Sequence, residues 1–123
     1  IMDKFTFLKE RAIEALIKMG FGDNERVFRA LKNSLSDESV QVRINAIEAL
    51  MDSEHPKAYS VIKDCLQNDK DEEVKKNALI ALYNLSGRSI LDEVINSSQY
   101  SDKLKMEAVN IIDEYESEGD GEG

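Results

Sequence analysis

"VQVRINAIEAL", residues 40–50, sets an apolar Val42 before a basic Arg43, then Ala46, and then Ala49 beside Leu50. Val42, Ala46, Ala49 and Leu50 are spaced four, three and one apart, which on a helix draws a single stripe. Alanines in that stripe leave room for a second backbone to come close. The segment reads as an amphipathic helix made to pack on another helix.

The same pattern occurs three more times. Leu8-Lys9-Glu10-Arg11-Ala12-Ile13-Glu14-Ala15-Leu16 precedes it, and Val74-Lys75-Lys76-Asn77-Ala78-Leu79-Ile80-Ala81-Leu82 and Leu104-Lys105-Met106-Glu107-Ala108-Val109-Asn110-Ile111-Ile112 follow. The first alanines fall at 12, 46, 78 and 108, so the separations are 34, 32 and 30. Such a period is one supersecondary unit per repeat. Between the copies lie further apolar helical patterns: Val27, Leu31 and Leu35; Ala58, Ile62, Cys65 and Leu66; Leu91, Val94 and Ile95.

Alternation of these inner and outer helices predicts an all-α fold, a short right-handed α-α superhelix of about seven helices. A lone inner helix comes first, and three outer–inner hairpins follow. Residues 3–115 form one repeat domain on this reading. Residues 116–123, acidic and glycine-containing, form a disordered tail.

Punctuation agrees with the count. Gly20, Gly22 and Gly87 follow inner helices, where a chain leaving a helix takes positive φ. Pro56 suits the first position of an outer helix. Asp69 with Glu72 resembles a capping box, and Asp37 and Ser101 are candidate N-caps.

Composition supports helices: 41% hydrophobic residues, 33% charged, one proline and no tryptophan. The net charge of −9 is concentrated at the end: Asp113 to Gly123 holds six acidic residues and no basic one, leaving −3 on residues 1–112. No segment resembles a secretory signal or reaches bilayer length, so a soluble, cytoplasmic protein is expected. Cys65 is the single cysteine and excludes an internal disulfide.

Asp37 stands six residues before Arg43 and Asp69 six before Lys75, and each pair leads into Ala-x-x-Ala-Leu, at Ala46 to Leu50 and Ala78 to Leu82. In this the chain resembles the HEAT repeats, particularly the short HEAT-like repeats also found in phycobilin lyases. The resemblance implies a ladder between neighbouring repeats built from Asp37, Arg43, Asp69 and Lys75. It also implies that the inner helices line a concave face. The fourth copy departs from the pattern, with Gln99 where the aspartate belongs.

On the inner helices the places two, six and nine residues beyond the start of each copy point away from the core at helical spacing. In the last three copies they hold Ile44, Glu48 and Met51; Lys76, Ile80 and Tyr83; Met106, Asn110 and Asp113. Apolar groups there point to a contact surface, with Ile44, Met51, Ile80 and Tyr83 as anchors and Glu48, Lys76, Asn77 and Asn110 around them. A slightly different helix phase would make the same residues core edges, and Met51 and Met106 would also serve as gap fillers.

Chemistry is hard to assemble from this inventory. One histidine, His55, supports neither a Ser-His-Asp set nor a multi-ligand metal site and reads as a solvated loop residue. Cys65 reads as a half-buried filler, and no glycine-rich phosphate loop is present. The expectation is a non-catalytic scaffold, without cofactor or metal, that binds another protein through its concave face. Alternatives are an accessory or chaperone-like partner of an enzyme, and a part of a longer array. Nucleic acid is disfavoured because the face carries Glu14, Glu48 and Asp113. The array is expected as a monomer, or weakly self-associating through Phe5 and Phe7 at one end and Val109, Ile112 and Tyr115 at the other.

Overall fold

The computed structural model describes residues 9–13 and 25–116, and all of its regular structure is helical. Residues 9–13 belong to the first copy of the motif. After them come α1 (Glu25–Ser34), α2 (Val40–Ser53), α3 (Ala58–Asn68), α4 (Glu72–Ser86), α5 (Ser89–Asn96) and α6 (Asp102–Ile111). A π-helical turn, Ile112–Glu116, ends the described chain. The order is that of the expected hairpins, with α1, α3 and α5 outer and α2, α4 and α6 inner.

The alanines explain how the hairpins stack. Ala46, Ala49, Ala78, Ala81 and Ala108 are buried, so no long side chain holds the inner helices apart. Accordingly α2 lies against α4 and α4 against α6, while the outer helices scarcely meet one another. Ile47, Leu50, Leu79 and Leu82 meet Ile62, Leu66, Leu91 and Val94 in one continuous core. Each such side chain, fully buried, stabilises by about 1.5–3 kcal/mol.

The starts of α2 and α4 are set two residues later than the sequence suggests. The Ser39 hydroxyl accepts the Val42 N–H at 3.3 Å, and Asp71 accepts those of Glu73 and Val74 at 2.8 and 3.2 Å. Asp37 and Asp69 stand two residues before these caps, and each carboxylate accepts the cap residue's own N–H at 2.9 Å. That leaves their other oxygens for a basic partner. Ser101 does cap α6, accepting the Leu104 N–H at 3.1 Å. Pro56 lies in the turn before α3, whose first helical residue is Ala58.

Gly87 closes α4 at φ 86° and ψ −154°, a conformation essentially reserved for glycine. Glu54 ends α2 in the left-handed region, at φ 58°. Gly20 and Gly22 lie outside the described residues.

Candidate functional site

The inner-helix face opens from its N-terminal to its C-terminal side. At the first outward place Glu10 and Ile44 are buried, Lys76 is half-buried and Met106 is 59% exposed. At the next, Glu48 and Asn110 are exposed and Ile80 is 36% exposed; at the third, Met51 and Tyr83 are half-buried and Asp113 exposed.

Ile44 corrects the expected anchor set. It is only 8% exposed and belongs to the core. The first copy of the motif covers this region: Asn45 donates to Glu10 at 3.1 Å, and Lys9 pairs with Asp37. Asn77 turns its amide back to the Glu73 carbonyl at 2.8 Å, within its own helix.

The C-terminal side of the face is framed by the π-helical turn. The Tyr115 ring lies 6.3 Å from that of Tyr83, tilted by 33°. The Tyr83 hydroxyl points at Glu116 from 3.5 Å, and Arg88 donates to Glu116 at 3.0 Å and to Asp92 at 3.1 Å. Burial, and then the Glu116 carboxylate, push the Tyr83 hydroxyl above its ordinary pKa. Glu116, expected in the tail, is therefore the last residue of an ordered turn. Residues 117–123 lie outside the described residues.

Between α4 and α6 this frame encloses a groove of about 400 Å³, walled by Ile80, Ile111 and Tyr115 and edged by Lys76, Asp113 and Glu114. Lys76 is 3.8 Å from Glu107. Of the residues expected at the array ends, Val109 and Tyr115 are exposed and Ile112 is half-buried; Phe5 and Phe7 lie outside the described residues.

The ladder is made of two rungs. Lys9 pairs with Asp37, whose carboxyl this contact and the Ser39 N–H hold below the usual range. Arg43 grips Asp69 with Nε at 2.9 Å and Nη2 at 3.3 Å, and its Nη1 also donates to the Asp37 carbonyl at 2.7 Å. Lys75 makes no ion pair among the described residues, because the acidic position ahead of α6 is occupied by Gln99. The rung from Lys9 was legible: it sits one place after Leu8 as Arg43 does after Val42.

His55 is not the solvated residue expected. It is buried, with its ring stacked 3.9 Å from Phe28. Nδ1 accepts the Lys57 N–H at 3.0 Å, which leaves Nε2–H to donate to Glu25 at 2.6 Å. That bond lowers the Glu25 pKa. Among the described residues, no group of three or more His, Cys, Asp or Glu side chains could hold a metal ion. Cys65 is buried, and its thiol is pushed up to about 11 by desolvation and then by Asp69 and Asp64. No described helix is long and apolar enough to cross a membrane.

A family model for HEAT repeats matches residues 3–83, from the first copy of the motif into the end of α4. No curated protein and no solved structure matches the chain.

Proposed function

The chain belongs to the HEAT repeat family, and from that premise we propose that it is a non-catalytic scaffold binding another protein through its inner-helix face. One observation carries the reading. Ile80 and Met106 stay exposed on adjacent inner helices, on the side that also holds the half-buried Tyr83 and the exposed Tyr115. An apolar cluster with a polar surround is the composition of an interface centre. Hydrolytic or group-transfer chemistry would need converging nucleophile, base and acid groups, and the face offers isolated carboxylates.

The test is capture of partners from lysate of the source organism, read by mass spectrometry. The native chain is compared with an Ile80→Glu, Met106→Glu variant whose helicity and melting are first shown to be native-like. A protein retained by the native chain and lost by the variant supports the reading. Equal capture by both removes the inner-helix face as the site.

A further inference from the structure

The inner-helix face is not electrically neutral, and that narrows what it can receive. Along the groove between α4 and α6, Lys76 is the one cation among the lining residues, and it already faces Glu107. Asp113 and Glu114 are both exposed, and neither holds an ion pair among the described residues; the same is true of Glu48 on α2. By contrast Glu93, Asp92 and Glu116 are each matched by a lysine or arginine. Beyond the turn the sequence adds Glu118, Asp120 and Glu122 without a basic residue.

Apolar and aromatic surface lies within the same groove. Ile80, 36% exposed, and the largely buried Ile111 line it with Tyr115, which is 63% exposed and lies beside the Tyr83 ring. An aromatic face beside unpaired carboxylates attracts ammonium and guanidinium groups through both cation–π and Coulomb terms. From this combination we infer that the groove between α4 and α6 seats a basic segment of a partner protein. One bulky apolar side chain of the segment rests on Ile80 and Ile111, and its flanking lysines or arginines face Asp113, Glu114 and Tyr115.

Other occupants fit less well. A second copy of the chain brings its own charge of −9 to a groove whose one lining cation already faces Glu107. A nucleic acid brings phosphates, which need the clustered Lys and Arg that this face lacks. The inference rests on the inner-helix face being the protein-binding surface and adds the partner's chemistry.

Three short labelled peptides test it with the full chain: an amphipathic Leu–Lys peptide, the same peptide with Glu for every Lys, and the same with Ala for every Leu. Binding is followed by anisotropy and mapped by amide shifts. The Leu–Lys peptide is expected to bind, to shift Ile80 and residues 110–115, and to lose about tenfold or more in affinity to the Asp113→Asn, Glu114→Gln variant. Both changes are at exposed positions, and the variant is first checked by circular dichroism for native helicity. If the Leu–Glu peptide binds the same groove as well, the basic partner is overturned while the inner-helix reading stands. If the Ala–Lys peptide binds equally, or the variant binds undiminished, the groove is overturned in favour of general attraction to an acidic chain. Shifts confined to the outer helices would sink both readings, and absence of binding by the Leu–Lys peptide overturns the inference.

Discussion

Replacing Asp69 by alanine should cost far more than the removal of a surface charge. The Arg43 and Asp69 side chains are 15% and 8% exposed, so the pair lies between exposed ion pairs, at about 0–1 kcal/mol, and buried pairs whose breakage costs about 3–5 kcal/mol. The truncation removes two charge-assisted bonds and the acceptor for the Asp71 N–H, but the guanidinium keeps the Asp37 and Glu38 carbonyls at 2.7 and 3.2 Å. These partial compensations put the loss at about 2–3 kcal/mol, or roughly 8–12 °C in melting temperature for a chain of this size. Arg43→Met leaves Asp69 with its backbone donor and should cost about 1–2 kcal/mol. Urea unfolding followed at 222 nm, for both single variants and the double variant, gives the coupling. The double variant should be more stable than the sum of the two losses implies, by about 1–2 kcal/mol. Strictly additive losses would refute the reasoning, because they would show that each residue acts through its own backbone contacts and not through the rung.

Gln99→Asp should supply the missing partner for Lys75 and raise stability by about 0–1 kcal/mol, an increment abolished by Lys75→Met in the same unfolding assay. Gly87→Ala should destabilise by about 1–3 kcal/mol from backbone strain alone, since an added Cβ would meet nothing within 4 Å; an unchanged urea midpoint would contradict this. Because the Cys65 pKa is raised from 9.0 to about 11 in the folded chain, its contribution is present below pH 9 and is lost as pH rises through 11. Alkaline unfolding should therefore be shallower in Cys65→Ala, and native Cys65 should react with a thiol reagent far more slowly than the urea-unfolded chain.

The repeat was legible because close packing of inner helices demands small residues at fixed places, and Ala46, Ala49, Ala78 and Ala81 record that demand directly. Rotation of a helix about its axis leaves a weaker record. Ile44 and Ile80 sit one turn apart on the common pattern, yet Ile44 is covered and Ile80 is not, because exposure depends on the neighbouring helix. His55 went astray for a related reason. Its loop position suggested solvent, but its burial comes from Phe28, 27 residues earlier, and nothing local announces that stacking. The caps were displaced by two residues because Asp37 and Asp69 are themselves good capping types, and only the positions of Lys9 and Arg43 show that they are used elsewhere. The return of Tyr115 and Glu116 onto Tyr83 and Arg88 is likewise a long-range contact with no local pattern.

The ladder's end at Lys75 makes the array mechanically uneven. In a stack where each repeat touches only its neighbours, every joint has its own stiffness. The joint between α2 and α4 is braced by the two-pronged grip of Arg43 on Asp69, whereas α4 and α6 are linked by Lys76 to Glu107 at 3.8 Å, Ser101 to Glu72 at 3.2 Å and, through the turn after α6, Glu116 to Arg88 and Tyr83 at 3.0 and 3.5 Å. Among the described residues the second joint is thus tied by more exposed contacts than the first, like a bay of a truss fastened at its rim. The groove spans that joint, so a partner seated in it bridges the two inner helices whose direct ties are the more exposed among the described residues.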